Sequence, residues 1–580
     1  MTEIEKKRHS LAHLLAAATL KLYPDTKVTL GPHIENGFYY DMDFTKPIND
    51  SDLKKIQKTM KKMANSWTSF DGKTVSPDEA REFFVDNEYK LELIEEIEAK
   101  GEDITLYTSG DFTDLCRGGH VENFKEDVAM DAFKLDRVAG AYWRGDENNK
   151  MLTRVYGLAF DTKEELDEYL RLREEAKKRD HRKIGKELGL FTFSEKVGPG
   201  LPLFTPKGTK IRNLVTEKIS SIQSQYGYEQ VCIPHITKSD LYKTSGHWDK
   251  YKDDLFHVKG KSDAEFVMKP MNCPHHTQIF DAEPRSYRDL PLRYAETTMV
   301  YRDEQAGELM GLSRVRSISQ DDGHIFCTPE QIKQEVNNIV SIIKEFYTAM
   351  NMFNDGDYWV SLSVRDSQDL DKYIGDDNLW DKAESILEDI AQENNLNYKR
   401  VEGEAAFYGP KLDFQFRDAL GREWQLGTAQ LDFVQPARFE LEYTDHEGHK
   451  QTPVMIHRAI AGSLERFMSL AIEHFAGHFP LWLAPLQIAV IPIKSDIHND
   501  YATSVYESLK ESGARVELWN DDKDGFGKKV RRAKNEKLPY WIIIGDEEVN
   551  SQTLTIENKD GGEKGIPPAQ FIEDIKKDLD

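Results

Sequence analysis

The segment Tyr301–His324 carries a dense set of charged side chains that could bind a nucleotide. A strand-like run ends at Arg302 and Glu304, a connection with two glycines follows, and a second alternating run begins at Arg314. Two such runs predict a hairpin with a long connection. Arg302 and Arg314 could then aim their guanidinium groups at one phosphate, while Glu304 accepts from the amino group of a base. The alternative is a salt-bridged surface hairpin without a ligand.

Cys273, His324 and His457 form a second candidate group, this time for a metal ion. Their spacing does not match a local zinc finger. One cysteine and two histidines from separate elements are nevertheless a suitable zinc ligand set, and three protein ligands leave one coordination position open for a substrate. The structural alternative is a buried cysteine and two hydrogen-bonded histidines.

Two pairs of residues four positions apart form a third candidate group. His9 and His13 would lie on one face of a helix, and Cys116 and His120 repeat the same spacing. Such pairs suit metal binding or acid–base chemistry, and each could instead be structural. The residue types therefore suggest two separate reactive sites in one chain.

Length and composition limit the kind of protein that holds these groups. At 580 residues the chain is too long for one hydrophobic core, so three or four domains are expected. No apolar run is long enough to predict a membrane span. The net charge of −25 argues against indiscriminate nucleic-acid binding. The four cysteines are scattered and histidines interrupt the apolar N-terminal run, which favours a cytoplasmic protein over a secreted one.

The predicted pattern of helices and strands around the reactive residues changes along the chain. Residues 1 to about 160 mix helical patterns with short strands such as Gly37–Asp41, and a charged helix over Lys163–Leu188 is a linker candidate. The irregular order of strands and helices that follows predicts an antiparallel sheet with flanking helices. The predicted strands here are Gln230–Ile236, Phe266–Lys269, Tyr294–Arg302, Arg314–Gln320, Lys411–Arg417 and Glu423–Leu426.

The last segment, 486–580, alternates strands and helices, which predicts a small α/β domain. The predicted elements are the strand Leu486–Ile493, the helix Tyr501–Glu511, the strand Val516–Trp519, the helix Lys528–Glu536 and the strand Tyr540–Ile544.

Taken together, these motifs resemble those of the threonyl-tRNA synthetases, a family of class II aminoacyl-tRNA synthetases, over essentially the whole chain. The hairpin resembles class II motif 2, the region from Gly198 to His235 resembles motif 1, and Gly462–Arg466 resembles motif 3. The resemblance implies an α+β multidomain fold with an antiparallel catalytic sheet and flanking helices. The implied domains are an N-terminal α+β editing domain at 1–162, a helical linker at 163–188, a class II catalytic domain at 189–482 and a C-terminal α/β anticodon-binding domain at 483–580.

The resemblance also implies a form that lacks the small N-terminal domain of longer members, and a homodimer built through the motif 1 region. Glu557 stands where many bacterial members carry an arginine that contacts an anticodon base. Details of anticodon reading are therefore left open by the sequence.

The implied activity is that of a threonine–tRNA ligase, which joins L-threonine to tRNA(Thr) through a threonyl-adenylate at the expense of ATP. The resemblance implies that Arg302 binds the α-phosphate of ATP, Glu304 contacts adenine and Arg466 reaches the γ-phosphate, with Mg²⁺ on the phosphates. Arg314 and Gln425 complete the implied ATP site. His247 is the implied residue near the terminal ribose of the tRNA, where it would assist attack on the adenylate.

For the amino acid, the resemblance implies one Zn²⁺ held by Cys273, His324 and His457, with the amino and hydroxyl groups of threonine completing the coordination. Asp322 would accept a hydrogen bond from that hydroxyl. The other implied substrate-binding residues are Met271, Gln320, Tyr408, Lys411 and Gln430. Valine lacks the hydroxyl and is rejected strongly, whereas the methyl group missing from serine costs only about 1–3 kcal/mol. A second site is therefore needed against serine.

That second site is implied by the two pairs near the N-terminus. The resemblance makes them part of an editing site that hydrolyses mischarged seryl-tRNA(Thr), either by orienting water or with a bound metal. The implied editing residues are His9, His13, Tyr40, Lys90, Asp114, Cys116 and His120. The alternative from another class is a regulatory RNA-binding paralogue without catalysis. Retention of Arg302, Glu304 and Arg466 favours the enzyme.

Overall fold

The structure is a computed structural model that describes residues 1–146, 148–248, 254–261, 263–418, 421–521 and 523–579. The chain divides into two compact units, Met1–Glu174 and Glu175–Asp580. Within the described ranges, each helix is either too short or too polar to cross a membrane.

The first unit packs helices against an antiparallel sheet. Its strands are β1 (Lys27–Val28), β2 (His33–Ile34), β3 (Gly37–Asp43), β4 (Asp71–Val75), β5 (Ile104–Ser109), β6 (Phe112–Leu115), β7 (Phe133–Tyr142) and β8 (Met151–Ala159). Its helices are α1 (Glu3–Leu22), α2 (Asp50–Met63), α3 (Pro77–Phe83), α4 (Glu88–Ala99), α5 (Phe124–Asp127) and α6 (Lys163–Arg179), within which the unit ends. The larger sheet has the order β1-β3-β8-β7, with β2 also on β3, and β4, β5 and β6 form a second sheet.

Helix α1 carries the first histidine pair. A capping box between Thr2 and Glu5 satisfies backbone groups at its N-terminus. Its middle is almost entirely buried, including Leu11 and Leu14, so the helix is fixed by core packing. His9 and His13 are consequently held on a rigid element.

The second unit contains two larger sheets and several short ones. Its strands are β9 (Phe191–Thr192), β10 (Leu203–Phe204), β11 (Glu229–Gln230), β12 (Ile236–Lys238), β13 (His257–Val258), β14 (Phe266–Met268), β15 (Arg285–Ser286), β16 (Leu292–Tyr301), β17 (Ser317–Cys327), β18 (Tyr358–Val364), β19 (Tyr398–Glu402), β20 (Lys411–Arg417), β21 (Glu423–Asp432), β22 (Tyr443–Thr444), β23 (Lys450–Gln451), β24 (Val454–Ala459), β25 (Ile488–Pro492), β26 (Val516–Leu518), β27 (Tyr540–Ile544), β28 (Leu554–Glu557) and β29 (Gly562–Ile566).

Its helices flank these sheets. They are α7 (His181–Glu187), α8 (Pro206–Gln225), α9 (Ser239–Ser245), α10 (Cys273–Asp281), α11 (Ile332–Ala349), α12 (Asp377–Glu393), α13 (Gln435–Arg438), α14 (Leu464–His474), α15 (Ser495–Glu511), α16 (Phe526–Asn535), α17 (Asp546–Ser551) and α18 (Pro568–Ile575).

The eight-stranded sheet has the order β11-β16-β17-β24-β21-β20-β18-β19 and is antiparallel except at its two outer pairs. This confirms the predicted antiparallel sheet with flanking helices. Strands β16 and β17 form the predicted hairpin, with Tyr301 opposite Ser317 at the end where the connection begins. Apolar residues of α11 and α14, such as Ile339 and Phe467, are buried in the core beside this sheet.

Several predicted elements differ from the observed ones, for example the helix predicted at Tyr501–Glu511, which begins at Ser495. Arg314 lies in the connection between β16 and β17, because Met310 and Arg314 pair with each other before β17 begins at Ser317. The predicted helix over residues 163–188 is two helices, because the side chain of Asp180 caps a new helix start by accepting from the backbone N–H of Arg182. The predicted strand 230–236 is interrupted between β11 and β12.

The C-terminal segment forms a five-stranded sheet of order β26-β25-β27-β28-β29. The pairs of β25 with β26 and β27 are parallel, as alternating strands and helices predict, and β28 and β29 add an antiparallel edge. Ile488 and Ile542 lie in its own apolar core.

Candidate functional site

One cavity in the second unit collects the predicted amino-acid and metal residues. It has a volume of about 120 Å³ and lies over the face of β17, β24 and β21. The predicted residues that line it are Met271, Cys273, Arg302, Gln320, Asp322, His324, Tyr408, Gln430 and His457. The register explains this, because His324, His457 and Gln430 are direct cross-strand partners and so point to one face of the sheet.

The three predicted metal ligands meet at one end of this cavity. One donor atom from each of Cys273, His324 and His457 lies within 4.8 Å of the other two, and all three residues are buried. Cys273 begins α10, whereas the two histidines belong to β17 and β24. Burial raises the pKa of the Cys273 thiol well above its usual range and lowers the pKa of His324 well below its usual range.

The surroundings of the two histidines fit a bound metal. Nδ1 of His324 lies 2.7 Å from Nδ1 of His276, and Nε2 of His457 lies 2.8 Å from Oδ2 of Asp432. Metal-binding histidines usually use their second ring nitrogen for a hydrogen bond of this kind. The remaining nitrogens, Nε2 of His324 and Nδ1 of His457, are therefore the ones left for zinc, which prefers thiolate and imidazole donors.

Asp432 and His276 are functional candidates that the sequence analysis missed. Asp432 is fully buried and also accepts from the backbone N–H groups of Val434 and Gln435, at 2.8 and 2.9 Å. Its position two residues after Gln430 on a strand was the available signal, since such residues share a face. His276 lies on α10, three residues after Cys273, which places both on one helix face.

Asp322 lies at the polar side of the same cavity. Its Oδ2 accepts from Nδ2 of Asn272 at 2.9 Å, and its Oδ1 accepts from the backbone N–H of Gly323 at 3.0 Å. Burial raises the pKa of this carboxyl. The carboxylate therefore has a fixed orientation at a point where a small hydroxyl group could donate to it.

Lys411 and Gln425 do not line the cavity, because a buried carboxylate holds them. Asp413 on β20 binds the ammonium group of Lys411 and accepts from Nε2 of Gln425 at 2.7 Å. Thr428 donates to the same oxygen at 2.7 Å. Asp413 thus arranges three polar side chains beside the predicted ATP site, and it too was missed by the sequence analysis.

The predicted phosphate arginines lie near one another, although only Arg302 lines the cavity and Arg314 and Arg466 do not. Nε of Arg302 is buried and has no hydrogen-bond partner within the described residues. Arg466 donates from Nε to the carbonyl of Ser313 at 3.2 Å, and from Nη1 to that of Gln425 at 3.3 Å. Burial, together with the nearby charges of Arg302 and Arg314, lowers the pKa of Arg466. Several guanidinium groups in one place favour an anion.

Glu304 and Arg314 bind each other in this structure. The Nη2 and Nε atoms of Arg314 lie 2.6 and 2.8 Å from Oε2 of Glu304, and Glu308 makes a further contact with Arg314. Glu304 is predicted to bind a base and Arg314 a phosphate. Either contact would require this ion pair to break at least in part. Two donors of Arg316 meanwhile bind the backbone carbonyl of Glu304, at 2.8 and 3.0 Å.

His247 lies beside the candidate metal ligands. Its Nε2 is 3.8 Å from Sγ of Cys273, and its Nδ1 is 2.8 Å from Oγ of Ser245. Burial lowers the pKa of His247 to about 4. The ring is therefore neutral at pH 7 and could accept a hydrogen bond.

A second cavity, of about 460 Å³, lies in the first unit. The predicted editing residues that line it are His9, His13, Tyr40, Lys90, Asp114 and Cys116. The seventh, His120, stacks on His9 with ring centroids 4.5 Å apart. Sγ of Cys116 lies 3.1 Å from Nε2 of His9 and 3.4 Å from Nε2 of His120. Helix α1 and the segment after β6 thus bring both pairs into contact.

Asp114 lines this second cavity and contacts three of the other predicted editing residues. It accepts from Nζ of Lys90 at 2.5 Å and from the hydroxyl of Tyr40, and Nδ1 of His13 lies 3.8 Å from it. Burial lowers the pKa of His9 and His13, and lowers that of His120 to about 2. It also raises the pKa of Cys116 to about 11. The imidazoles and the thiol are therefore uncharged at neutral pH.

The same four donors could also hold a metal. One donor atom from each of His9, His13, Cys116 and His120 lies within 4.8 Å of the others. Cys116 is also within hydrogen-bonding distance of His9 and His120, so a site with a metal and a site without one both fit this geometry.

Three families of known domains match the chain in order. Residues 104–156 match the second additional domain of threonyl and alanyl tRNA synthetases, residues 256–475 match the class II tRNA synthetase core domain (G, H, P, S and T), and residues 487–578 match an anticodon binding domain. The antiparallel sheet and the cavity with its arginines belong to the second of these. The chain therefore has the core of a class II aminoacyl-tRNA synthetase.

Whole-chain relatives define the family more narrowly. A threonine–tRNA ligase from Gloeobacter violaceus is 50% identical over 97% of this chain and 90% of its own length. Another, from Rubrobacter xylanophilus, is 47% identical over 96% of this chain and 86% of its own. The chain belongs to the threonine–tRNA ligase family.

Solved structures agree with this assignment. The RNA binding domain of threonyl-tRNA synthetase from Cryptosporidium parvum is 35% identical and superposes with a TM-score of 0.63, covering 69% of this chain and 98% of that chain. A prolyl-tRNA synthetase from Giardia lamblia, 17% identical with a TM-score of 0.57 over 70% of this chain and 79% of its own, shares the fold.

Proposed function

We propose that this protein activates L-threonine with ATP, transfers it to tRNA(Thr), and hydrolyses seryl-tRNA(Thr) formed in error. The observation that carries the proposal is the cavity that Cys273, His324 and His457 share with Arg302, whose buried Nε has no hydrogen-bond partner among the described residues. An amino acid bound at the cluster would present its carboxylate toward a nucleotide phosphate at Arg302. This arrangement suits an in-line attack of carboxylate on phosphorus.

In the activation step, the threonine carboxylate attacks the α-phosphorus of ATP and pyrophosphate leaves. Arg302 would bind the α-phosphate and Arg466 the γ-phosphate, so that positive charge is already in place where negative charge develops. Glu304 would exchange Arg314 for the adenine amino group, freeing Arg314 for a phosphate. ATP is expected as its Mg²⁺ complex.

Cys273, His324 and His457 would hold one Zn²⁺. When bound, the ion supplies Lewis acidity and an open coordination position for the amino acid. Asp322 is oriented to accept a hydrogen bond from the threonine hydroxyl, and valine would lack the donor for this contact while still displacing water from the carboxylate. Loss of this polar contact would reject valine strongly, whereas serine has a hydroxyl that makes the contact and would still be activated.

For transfer, His247 would assist the attack of the terminal tRNA hydroxyl on the adenylate. Its pKa, lowered to about 4, keeps the ring neutral at pH 7, so that a ring nitrogen can accept a hydrogen bond from that hydroxyl. In the first unit, the neutral residues His9, His13, Cys116 and His120 would position water for hydrolysis of the seryl ester. Tyr40, Lys90 and Asp114 would form the wall against which the aminoacyl group lies.

The proposed assembly is a cytoplasmic homodimer formed through the region that resembles motif 1. Phe193, Val197, Leu203 and Ile236 lie within or next to this region, and each is 40 to 48% exposed. Such apolar side chains are suited to a subunit interface. Analytical ultracentrifugation of the purified chain tests this, and a single monomeric species at micromolar concentration would contradict it.

Amino-acid-dependent exchange between pyrophosphate and ATP tests the central proposal. Threonine should support exchange, serine should support weaker exchange, and valine should be the poorest of the three. A protein that contains zinc and is folded, but gives no exchange with threonine, would contradict the proposed function. A charging assay with tRNA(Thr) then tests transfer.

A further inference from the structure

His181 lies at the start of α7, outside both cavities, and is 2% exposed. Its Nδ1 lies 2.7 Å from Oε1 of Glu473 on α14, and its backbone N–H donates to the same oxygen at 3.2 Å. Its Nε2 accepts from the backbone N–H of Leu312 at 3.1 Å. These contacts assign the neutral tautomer with the proton on Nδ1.

Asp180, His181 and Glu473 are close enough together to hold a metal ion. The hydrogen bonds argue against that use. Nδ1 carries the proton that Glu473 accepts, and the lone pair of Nε2 is occupied by the N–H of Leu312. Asp180 is engaged with the backbone and side chain of Arg182. The cluster is therefore a set of satisfied hydrogen bonds that joins α7, α14 and the connection between β16 and β17.

That connection, residues 302–316, contains three of the predicted ATP residues, Arg302, Glu304 and Arg314. Next to Leu312, the hydroxyl of Ser313 lies 2.9 Å from that of Ser469 on α14, and the carbonyl of Ser313 accepts from Nε of Arg466. Arg466, Ser469 and Glu473 are spaced by three and four residues, so they share one face of α14. His181 adds a further contact between this helix face and the connection, because it binds both Glu473 and the backbone of Leu312.

Gly311 shows how tightly the connection approaches the imidazole. Its φ is +51°, and a Cβ at this position would lie 2.3 Å from Nε2 of His181. A side chain here would therefore displace either the ring or the connection. The backbone at 311 and 312 has little freedom while His181 is in place.

We propose that His181 is a positioning residue for ATP in the adenylation reaction. It fixes the backbone of Leu312 to α14, and thereby sets where Arg466 and Arg314 present their guanidinium groups. The proposal rests on the proposed function for its kinetic consequence, because it assigns His181 to the nucleotide end of the site. The threonine end is held by other contacts, around His276 and Asp432.

The test measures pyrophosphate exchange by His181→Ala, with separate KM values for ATP and threonine, together with zinc content. We expect kcat/KM for ATP to fall roughly 10- to 100-fold, as for loss of a buried hydrogen bond to a charged group. KM for threonine and zinc content should be unchanged. Glu473→Ala should show the same ATP-specific loss, whereas Glu473→Gln keeps an acceptor oxygen and should stay within about threefold of the parent.

His498→Ala is the matched control. This histidine is 1% exposed, accepts from the backbone N–H of Lys494 at 3.2 Å and contacts Asp546 at 3.0 Å, but it lies in the C-terminal segment. Its replacement should cost similar stability and leave KM for ATP unchanged. An ATP defect as large as that of His181→Ala would mean that general destabilisation explains both, and would overturn the proposal.

Hydrogen–deuterium exchange separates this proposal from the proposed function. In His181→Ala the amides of residues 310–314 should exchange at least about tenfold faster than in the parent, whether or not the parent is active. Unchanged exchange there would overturn the proposal even in an active enzyme. Failure of the parent to exchange pyrophosphate would instead overturn the proposed function. If His181→Ala does not fold, Gly311→Ala replaces it, because the added Cβ would push against Nε2 of His181. The same faster exchange of residues 310–314 is then expected.

Discussion

His324 and His457 are direct cross-strand partners on β17 and β24, with ring centroids 4.8 Å apart and ring planes at 83°. Their Cα register places both side chains on one face of the sheet, and the N-terminus of α10 brings Cys273 to the same point. The candidate zinc site therefore depends on three elements that only the folded sheet assembles.

Cys273→Ser should remove zinc and threonine-dependent pyrophosphate exchange together. Serine is a much poorer zinc ligand than thiolate, so the loss of metal affinity should exceed the roughly 10- to 100-fold typical of an outer-shell change. Metal analysis should find one zinc per chain in the parent. The control is Cys327→Ser, which changes another buried cysteine outside the donor group. Full exchange by a zinc-free Cys273 variant would refute the metal role.

Asp432→Asn should weaken zinc binding without removing a ligand. The carboxylate orients His457 through Nε2, and loss of such a partner costs about 10- to 100-fold in affinity. Competition with a chelator measures this directly. Asp445→Asn is a suitable control, since Asp445 also accepts from backbone N–H groups but lies in an exposed turn. Equal zinc affinity in Asp432→Asn and the parent would show that His457 does not need this contact.

Arg302→Gln should lower kcat for pyrophosphate exchange by about 10²- to 10³-fold, because a preorganised donor to a developing charge is lost. Arg302→Lys should recover part of this rate, since it restores the charge but not the forked geometry. Zinc content should not change in either variant. Arg417→Lys, which alters an exposed pair with Glu423, is expected to behave as the parent. A glutamine variant as fast as the parent would exclude Arg302 from the phosphate site.

His9→Ala combined with His13→Ala should leave threonine charging intact and slow deacylation of seryl-tRNA(Thr) at least about 100-fold. The two units have separate cavities, so damage to one site should not reach the other. A matched pair of exposed histidines, His446→Ala with His449→Ala, serves as the control. Deacylation equal to that of the parent would show that the first unit does not edit.

The pH profile of that deacylation should lack the inflection expected for an ordinary histidine. A histidine with a pKa near 6.5 becomes about three-quarters protonated at pH 6. Burial lowers the pKa of all three histidines, that of His13 well below its usual range and that of His120 to about 2, so that these two stay neutral as the pH falls from 8 to 6. The measurement is kcat against pH with the spontaneous rate subtracted. A fall in activity centred near pH 6.5 would contradict the neutral assignment.

Much of the fold could be predicted because periodicity and strand propensity are local properties. The strand Lys411–Arg417 appears at its predicted bounds, and the hairpin of β16 and β17 lies where alternation placed it. Element ends were less predictable. Arg314 was assigned to a strand, but the pairing of Met310 with Arg314 inside the connection decided otherwise.

The sequence by itself determined which residues have the chemistry: a cysteine and two histidines for zinc, arginines for phosphates, and two reactive pairs near the N-terminus. The tertiary structure decided their partners, because these come from distant positions. His276 lies 48 residues from His324, and His181 lies 292 residues from Glu473. Which ring nitrogen remains available for a metal, and which backbone amide a histidine holds, depends on those contacts and on the burial that keeps water away from them.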